Sequence, residues 1–281
     1  MSDFLEQMAA GSRERLEAAR RVTSEAALLQ NAGAMAPAPR LVANPARFDL
    51  IAELKLRSPA VGQLKSGDEN VGARVTAYAR AGAAAVSVLT EPSRFDGSMT
   101  HLETATQALA ALKVPAMRKD FLVDPYQAIE ARVAGAGGVL VIIRMMSRAG
   151  IQEMLECARN LGLFVLLEAF DEADIEVMQD VLGAAAHAGT SAAPVLAGLN
   201  CRDLTTLQIV PQRLIELAHL LPTHVPRVAE SGVVSPEDAS RVAGVGYEFA
   251  LVGSALMQGG DPHTLAAAML KAGRENAHRS K

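Results

Sequence analysis

Five charged residues of this 281-residue chain, Glu53, Lys55, Lys119, Glu168 and Glu230, stand at or just past the ends of short apolar runs. Taken singly, each is what an apolar strand looks like where it meets water. Gathered at one small mouth, three carboxylates and two ammoniums would act on one another. Their fields displace pKa values from those of the free side chains, and proton transfer near neutral pH needs that tuning. The pattern points to acid–base chemistry. Asn200, followed by Arg202 and Asp203, ends another run and adds an amide and a guanidinium.

The last two runs finish in Ser231-Gly232 and Gly253-Ser254. Each pairs a small hydroxyl with a glycine, whose backbone a ligand can approach closely. One such dipeptide means little. One after each of the last two strands of a (β/α)8 barrel falls where that fold commonly holds a phosphate, beside a helix N-terminus. Metal binding finds no support, because none of His101, His187, His219, His224, His263 and His278 follows a run end and no two have ligand spacing. Cys201 has no neighbouring His to act as its base and reads as a small space-filling residue. Met145-Met146, after Arg144, reads as gap-filling core.

The elements that must position these groups are legible as a rhythm. The apolar runs are Phe48–Glu53, Ala84–Leu89, Val114–Met117, Gly138–Ile143, Leu163–Glu168, Val195–Leu199, Pro226–Glu230 and Glu248–Val252. Their starts lie 22 to 36 residues apart, the length of one strand, one helix and two loops. Runs this apolar suit parallel strands covered on both faces. Helical segments fall between them at 103–111, at 125–134 with Asp124 as N-cap and Pro125 in the first turn, at 147–160 and at 171–181. Ser235-Pro236-Glu237-Asp238 opens another in the same way. Eight such units predict an α/β (β/α)8 TIM barrel over 48–271. An open doubly wound sheet is the rival, but Glu53-Leu54-Lys55 stands where its glycine-rich fingerprint would follow the first strand. Gly183–Pro194 is expected to be a loop or frayed connector far from the chemistry.

Residues 1–47 read as an N-terminal helical extension and linker. Phe4, Leu5, Met8, Leu16 and Ala19 keep near-helical spacing, and Met35–Arg40 breaks it with two prolines. The extension could cover one mouth of the barrel or only decorate it. Arg13, Arg15, Arg20 and Arg21 alternate with Glu14, Glu17 and Glu25, the pattern of a solvated helix face. Residues 272–281 are polar and are expected to form a flexible tail. A net charge of −4 argues against a nucleic-acid partner. No apolar run reaches the roughly 20 residues of a membrane span. The acidic start MSDFLEQM lacks a secretory core, and two cysteines 44 positions apart fit a reducing compartment, so the chain reads as cytoplasmic. A monomer or weak homo-oligomer is expected.

At this point the residues resemble a known family. The segments IAELKLRSPAVG (51–62), VSVLTEPSRFDGS (86–98), AMRKDFLVDPYQAIEAR (116–132), GLNCRDLTTL (198–207), VAESGVVSPED (228–238) and ALVGSALM (250–257) are together similar to indole-3-glycerol phosphate synthase. The resemblance implies a carbon-carbon lyase of tryptophan biosynthesis, working without metal or organic cofactor on a small phosphorylated substrate. The reaction closes the indole ring of 1-(2-carboxyphenylamino)-1-deoxyribulose 5-phosphate with loss of CO2 and water. By motif, the resemblance makes Lys119 a general acid at the substrate carbonyl and Lys55 a partner for an anionic group or an acid in dehydration. Glu53 and Glu168 become the candidate bases. Asn200 would hold Glu53 or substrate hydroxyls, and Glu230 would orient lysines or hydroxyls. Ser58 and Arg202 would help bind substrate, with Ser231, Gly232, Gly253 and Ser254 around the phosphate. Phe95, Phe121, Leu140 and Ile142 would line an aromatic pocket, the last two on one strand face by alternation.

Some positions depart from the family pattern: Leu56, Ala60 after Ser58-Pro59, Gly137, Ala169-Phe170 after Glu168, and the lack of any Trp. None touches the acid–base set. Two other readings stay open. One is a related barrel enzyme acting on another aminodeoxyribulose phosphate in a secondary pathway. The other is a non-catalytic barrel that binds a phosphorylated metabolite, which would have little use for Glu53, Lys55, Lys119 and Glu168 together.

Overall fold

Eight parallel strands close on themselves in the computed structural model, which describes residues 3–42, 48–60, 62–65, 69–186, 194–258 and 261–277. They are β1 (Asp49–Leu54), β2 (Ala85–Leu89), β3 (Ala116–Lys119), β4 (Gly138–Ile142), β5 (Phe164–Ala169), β6 (Val195–Asn200), β7 (Arg227–Glu230) and β8 (Phe249–Val252). Each pairs with its sequence neighbours, and β8 closes the ring on β1. This is the expected barrel, with every strand within two residues of its run. The strands are almost wholly buried, because one face packs inward and the other lies under helices. Inward residues such as Ile51, Met117, Leu140, Phe164, Leu166 and Phe249 fill the interior.

The outer helices are α3 (Val71–Arg80), α4 (Met99–Ala110), α5 (Pro125–Val133), α6 (Arg148–Asn160), α7 (Glu172–Ala186), α8 (Pro236–Gly244) and α9 (Pro262–Ala277), preceded by α1 (Asp3–Val22) and α2 (Glu25–Ala34). Side-chain caps fix several starts: Asn70 on α3, Ser98 on α4, Asp124 on α5, Ser147 on α6 and Ser235 on α8. Capped by Ser98, α4 begins at Met99, four residues before the expected start. Between β6 and β7 only short turns, Arg213–Glu216 and Ala218–Leu220, take the place of a full helix.

Two expectations are corrected. The stretch expected to be a loop or frayed connector from Gly183 continues the helix as far as Ala186, since its alanines are the strongest helix formers; residues 187–193 lie outside the described residues. Residues 272–277 are not loose. They continue α9, Gly273 is buried, and Arg274 donates to Asp49 at 2.7 Å and to the Phe48 carbonyl at 3.1 Å, fastening the helix to the foot of β1. Residues 278–281 lie outside the described set.

The N-terminal extension covers the mouth at the C-terminal ends of the strands. Leu5, Met8 and Ala9 of α1 join the same apolar cluster as the inward barrel residues. Polar ties hold α1 there. Arg15 reaches Asp120 at 2.7 Å, Ser12 accepts from Gln127 at 2.9 Å, and Arg20 reaches Asp124 at 2.8 Å while lying over the Tyr126 ring. The arginine face expected to be merely solvated therefore clasps the segment after β3 through two of its members. Among the described residues no helix is long and apolar enough to cross a membrane.

Candidate active site

Strand register brings the charged tips together. Glu168 on β5 pairs with Gly198 on β6 and with Ile142 on β4, Asn200 on β6 pairs with Glu230 on β7, and Lys119 on β3 pairs with Leu89 on β2. Alternation turns these side chains inward, one layer above the apolar filling. Lys119 Nζ donates to Glu168 Oε2 at 3.0 Å and to Glu230 Oε2 at 3.2 Å. On the other side Lys55 Nζ lies 2.7 Å from Glu53 Oε1. Asn200 Nδ2 donates to the second oxygen of Glu168 at 3.2 Å. Asn200 thus holds Glu168, where the resemblance had offered Glu53 as its carboxylate. The Asn200 Oδ1 accepts the backbone N–H of Arg202 at 3.0 Å, and the Arg202 guanidinium donates to the Leu207 carbonyl at 2.7 Å.

Burial makes these ion pairs matter. Glu53, Glu168 and Glu230 are each at most 2% exposed. For Lys119, burial alone would lower the pKa, but Glu168, Glu230 and Glu53 outweigh it and hold the ammonium above the ordinary lysine range. For Glu53, burial pushes the carboxyl up, yet Lys55 and Lys119, with help from Arg202, bring it below its usual value. Glu230 goes the other way. Burial and then repulsion from Glu168 raise it well above the usual carboxylate range, with Lys119 opposing only in part. One buried layer thus holds a charged lysine, an ionised carboxylate and a carboxyl that favours its proton. Divergent environments of this kind separate acid from base within one site.

The space these groups face is a cleft of about 1050 Å³, counted out to its open mouth. All sixteen residues singled out from the sequence line it. On one side are the charged tips Glu53, Lys55, Lys119, Glu168 and Glu230 with Asn200. Phe95, Phe121, Leu140 and Ile142 supply an apolar wall, with the rings of Phe95 and Phe121 6.0 Å apart. Ser58, Arg202, Ser231, Gly232, Gly253 and Ser254 complete the lining.

Backbone geometry at the rim is unusual at two consecutive positions. Ser231 and Gly232 both have left-handed backbone, with φ of 64° and 70°. Glycine adopts this freely, but a serine is strained there, and strain of about 1–3 kcal/mol persists where surrounding structure enforces it, often at functional sites. Ser254 opens a short helical turn, Ser254–Gln258, directly after Gly253.

Several lining residues carried no sequence signal for the site. Phe4 and Leu5 of α1 reach in from far along the chain, and Phe4 meets Phe121 edge to face at 5.9 Å. Their helical periodicity said that they were buried, not where. Asp120 is a hub beside Lys119: it accepts from Arg15 at 2.7 Å, Thr90 Oγ at 2.7 Å and the Phe121 N–H at 2.8 Å. Its place next to Lys119 was the available clue. Phe170, noted as a departure, lines the cleft and carries the Arg144 guanidinium over its ring at 5.3 Å; Arg144 also pairs with Asp171 and Asp174. Cys201 is fully buried, and burial pushes its thiol up to about 11, which leaves it unreactive. Among the described residues, no three His, Cys, Asp or Glu side chains gather to hold a metal.

Known proteins share both the sequence and the fold. Residues 5–269 match the family model described as indole-3-glycerol phosphate synthase. An indole-3-glycerol phosphate synthase of Parafrankia sp. is 39% identical over 278 residues, covering 98% of each chain. One of Micrococcus luteus is 39% identical over 92% of this chain and 93% of its own. Among solved structures, a 3-hexulose-6-phosphate synthase of Salmonella typhimurium aligns with a TM-score of 0.60 at 14% identity, over 82% of this chain and all of that one. A thiamine phosphate pyrophosphorylase of Pyrococcus furiosus aligns at 0.58 and 16%, over 82% and 97%. These two likenesses concern the fold alone.

Proposed function

The chain belongs to the indole-3-glycerol phosphate synthase family, carboxy-lyases of tryptophan biosynthesis, and we propose that its strand-tip lysines and glutamates close the indole ring by acid–base catalysis. The substrate, 1-(2-carboxyphenylamino)-1-deoxyribulose 5-phosphate, has three parts that the cleft can meet separately. Its phosphate sits at Ser231, Gly232, Gly253 and Ser254, with Ser58 and Arg202 contributing to substrate binding. Its aromatic ring lies against Phe95, Phe121, Leu140 and Ile142. Its carbonyl then faces Lys119.

In the first step the ring carbon that bears the carboxylate attacks the carbonyl carbon and a C–C bond forms. The carbonyl oxygen gains the electron pair and takes a proton from Lys119. The carboxylate leaves as CO2, and its bonding electrons restore the aromatic ring. The new hydroxyl departs as water with a proton from Lys55, while Glu168 or Glu53 removes a proton from the carbon between it and the nitrogen, and those C–H electrons form the C=C bond that makes the closed five-membered ring aromatic. Glu230 orients Lys119 within the same layer. A preorganised ammonium aimed at a developing oxyanion, in a water-poor site, is commonly the largest single contribution to such a rate.

The observation that carries this reading is the Lys119 ammonium, held by two buried carboxyl groups and facing a cleft with an apolar wall on one side and the Ser231–Gly232 turn on its rim. The test is turnover of the carboxyphenylamino sugar phosphate, followed by fluorescence of the indole product and by CO2 release. The expected result is one CO2 per indole formed. Binding without turnover would replace the reading with a non-catalytic barrel. Faster turnover of a different aminodeoxyribulose phosphate would assign the site to a secondary pathway.

A further inference from the structure

Gly198 stands in the middle of β6, where a side chain would ordinarily be favoured, since glycine weakens a strand interior. Backbone conformation does not explain it, because Gly198 is not among the described glycines with positive φ. Space does. In register Gly198 lies between Glu168 of β5 and Val228 of β7, directly below Asn200 on the inward face. A Cβ at this position would overlap Glu230 Oε1 and approach Leu166 Cδ1 to 2.9 Å. Glu230 Oε1 itself is buried, has no hydrogen-bond partner among the described residues, and occupies the space that a Cβ on Gly198 would take. From there Glu230 Oε2 reaches Lys119, and the carboxyl comes within hydrogen-bond range of Glu168.

We propose that Gly198 is a positioning residue for the acid–base layer: its missing side chain is the slot into which Glu230 leans to meet Lys119 and Glu168. The proposal rests on the catalytic reading of those three residues. Any side chain at 198 lifts the Glu230 carboxyl out of the slot and turns Lys119 away from the substrate carbonyl. Substrate contacts on the phosphate rim and the apolar wall stay as they are. The cost therefore falls on kcat and not on KM.

The experiment compares Gly198→Ala, Glu230→Asp, the double variant and Glu230→Gln, with kcat and KM for ring closure. Gly198→Ala should lower kcat roughly 10- to 100-fold with KM within about threefold, because loss of orientation alone costs that order. In the double variant the shorter Asp no longer enters the slot, so the two losses should fall well short of their product. Should Gly198→Ala fail to fold, Gly198→Ala combined with Glu230→Ala folds, since the overlapping carboxyl is gone. Failure of both to fold would overturn the proposal, as would parental kcat in Gly198→Ala or losses that simply multiply. Full kcat in both Glu230→Asp and Glu230→Gln would instead remove the orienting role of Glu230, and with it the proposal.

Discussion

Replacing Lys119 by Met removes the ammonium that lies within 3.2 Å of both Glu168 and Glu230 and keeps most of the side-chain volume. Two effects follow, and they are measured separately. The first is on the reaction. Loss of an oxyanion-stabilising donor costs about 2.7–4 kcal/mol, and loss of a positioned acid costs about 10²–10⁴ in rate. One group supplies both, so the losses overlap and do not multiply. A fall in kcat of about 10³–10⁴ is expected, or roughly 4–5.5 kcal/mol at 1.36 kcal/mol per decade. The second effect is on the fold. Removing one partner of a buried ion pair commonly costs about 3–5 kcal/mol. Here the loss should be smaller, because burial and repulsion from Glu168 already favour the protonated form of Glu230, which leaves less charge uncompensated when the ammonium is removed.

The assay is indole fluorescence for kcat and KM, with product affinity by titration and urea unfolding of the same preparation. KM and product affinity should stay within about tenfold, since the phosphate rim and the aromatic wall are untouched. A folded variant with kcat within tenfold of the parent would refute the acid role of Lys119. A large loss confined to KM would refute it equally, because the ammonium would then be a binding group only.

Three further outcomes are expected. Ser254→Asp sets a carboxylate at the rim beside Gly253 and should raise KM for the phosphorylated substrate at least tenfold with kcat little changed; unchanged KM places the phosphate elsewhere. Gly253→Ala should differ from it, because a Cβ there overlaps Glu53 Oε1 and comes 3.1 Å from Lys55 Nζ, disturbing the 2.7 Å pair as well as the rim, so kcat should fall with the rise in KM. Glu230→Gln should change how stability depends on pH. The folded-state pKa of Glu230 is raised, so its favourable contribution is complete below the unfolded value of about 4.3 and is lost as the pH rises through the folded value. The Gln variant, which cannot ionise, should gain on the parent in urea unfolding as the pH is raised from 5 to 8, and a constant offset over that range would mean that Glu230 is ionised throughout.

How far this site could be read from the chain depends on how far the signal is local. Each strand carries its own apolar run, and each run names its polar tip, so Glu53, Lys119, Glu168, Asn200 and Glu230 could be found without knowing the register. The caps Asp124 and Ser235 act within a few residues of themselves and were equally plain. Helix ends were less so. The alanines after Gly183 and the polar residues after Ala272 have no local stop signal, and what holds the end of α9 is Arg274 reaching Asp49, 225 positions away.

What was not legible is every relation that exists only once the barrel closes. The spacing of Phe4 marks a buried helix face, but its contact with Phe121 depends on α1 lying across the mouth, and that depends on Arg15 finding Asp120. The three glutamates look alike in sequence. They differ in the fold because Lys55 stands against one, Lys119 is shared by the other two, and one of those two lies over a glycine on the neighbouring strand. The division of labour in this layer is therefore a property of register: a one-residue slip of β6 would turn Asn200 outward and put Ala197 or Leu199 beside Glu168 in place of Gly198. Chemistry of this kind constrains a strand interior as tightly as it constrains a tip, and the least conspicuous residue of the layer, one with no side chain, is where that constraint can be tested.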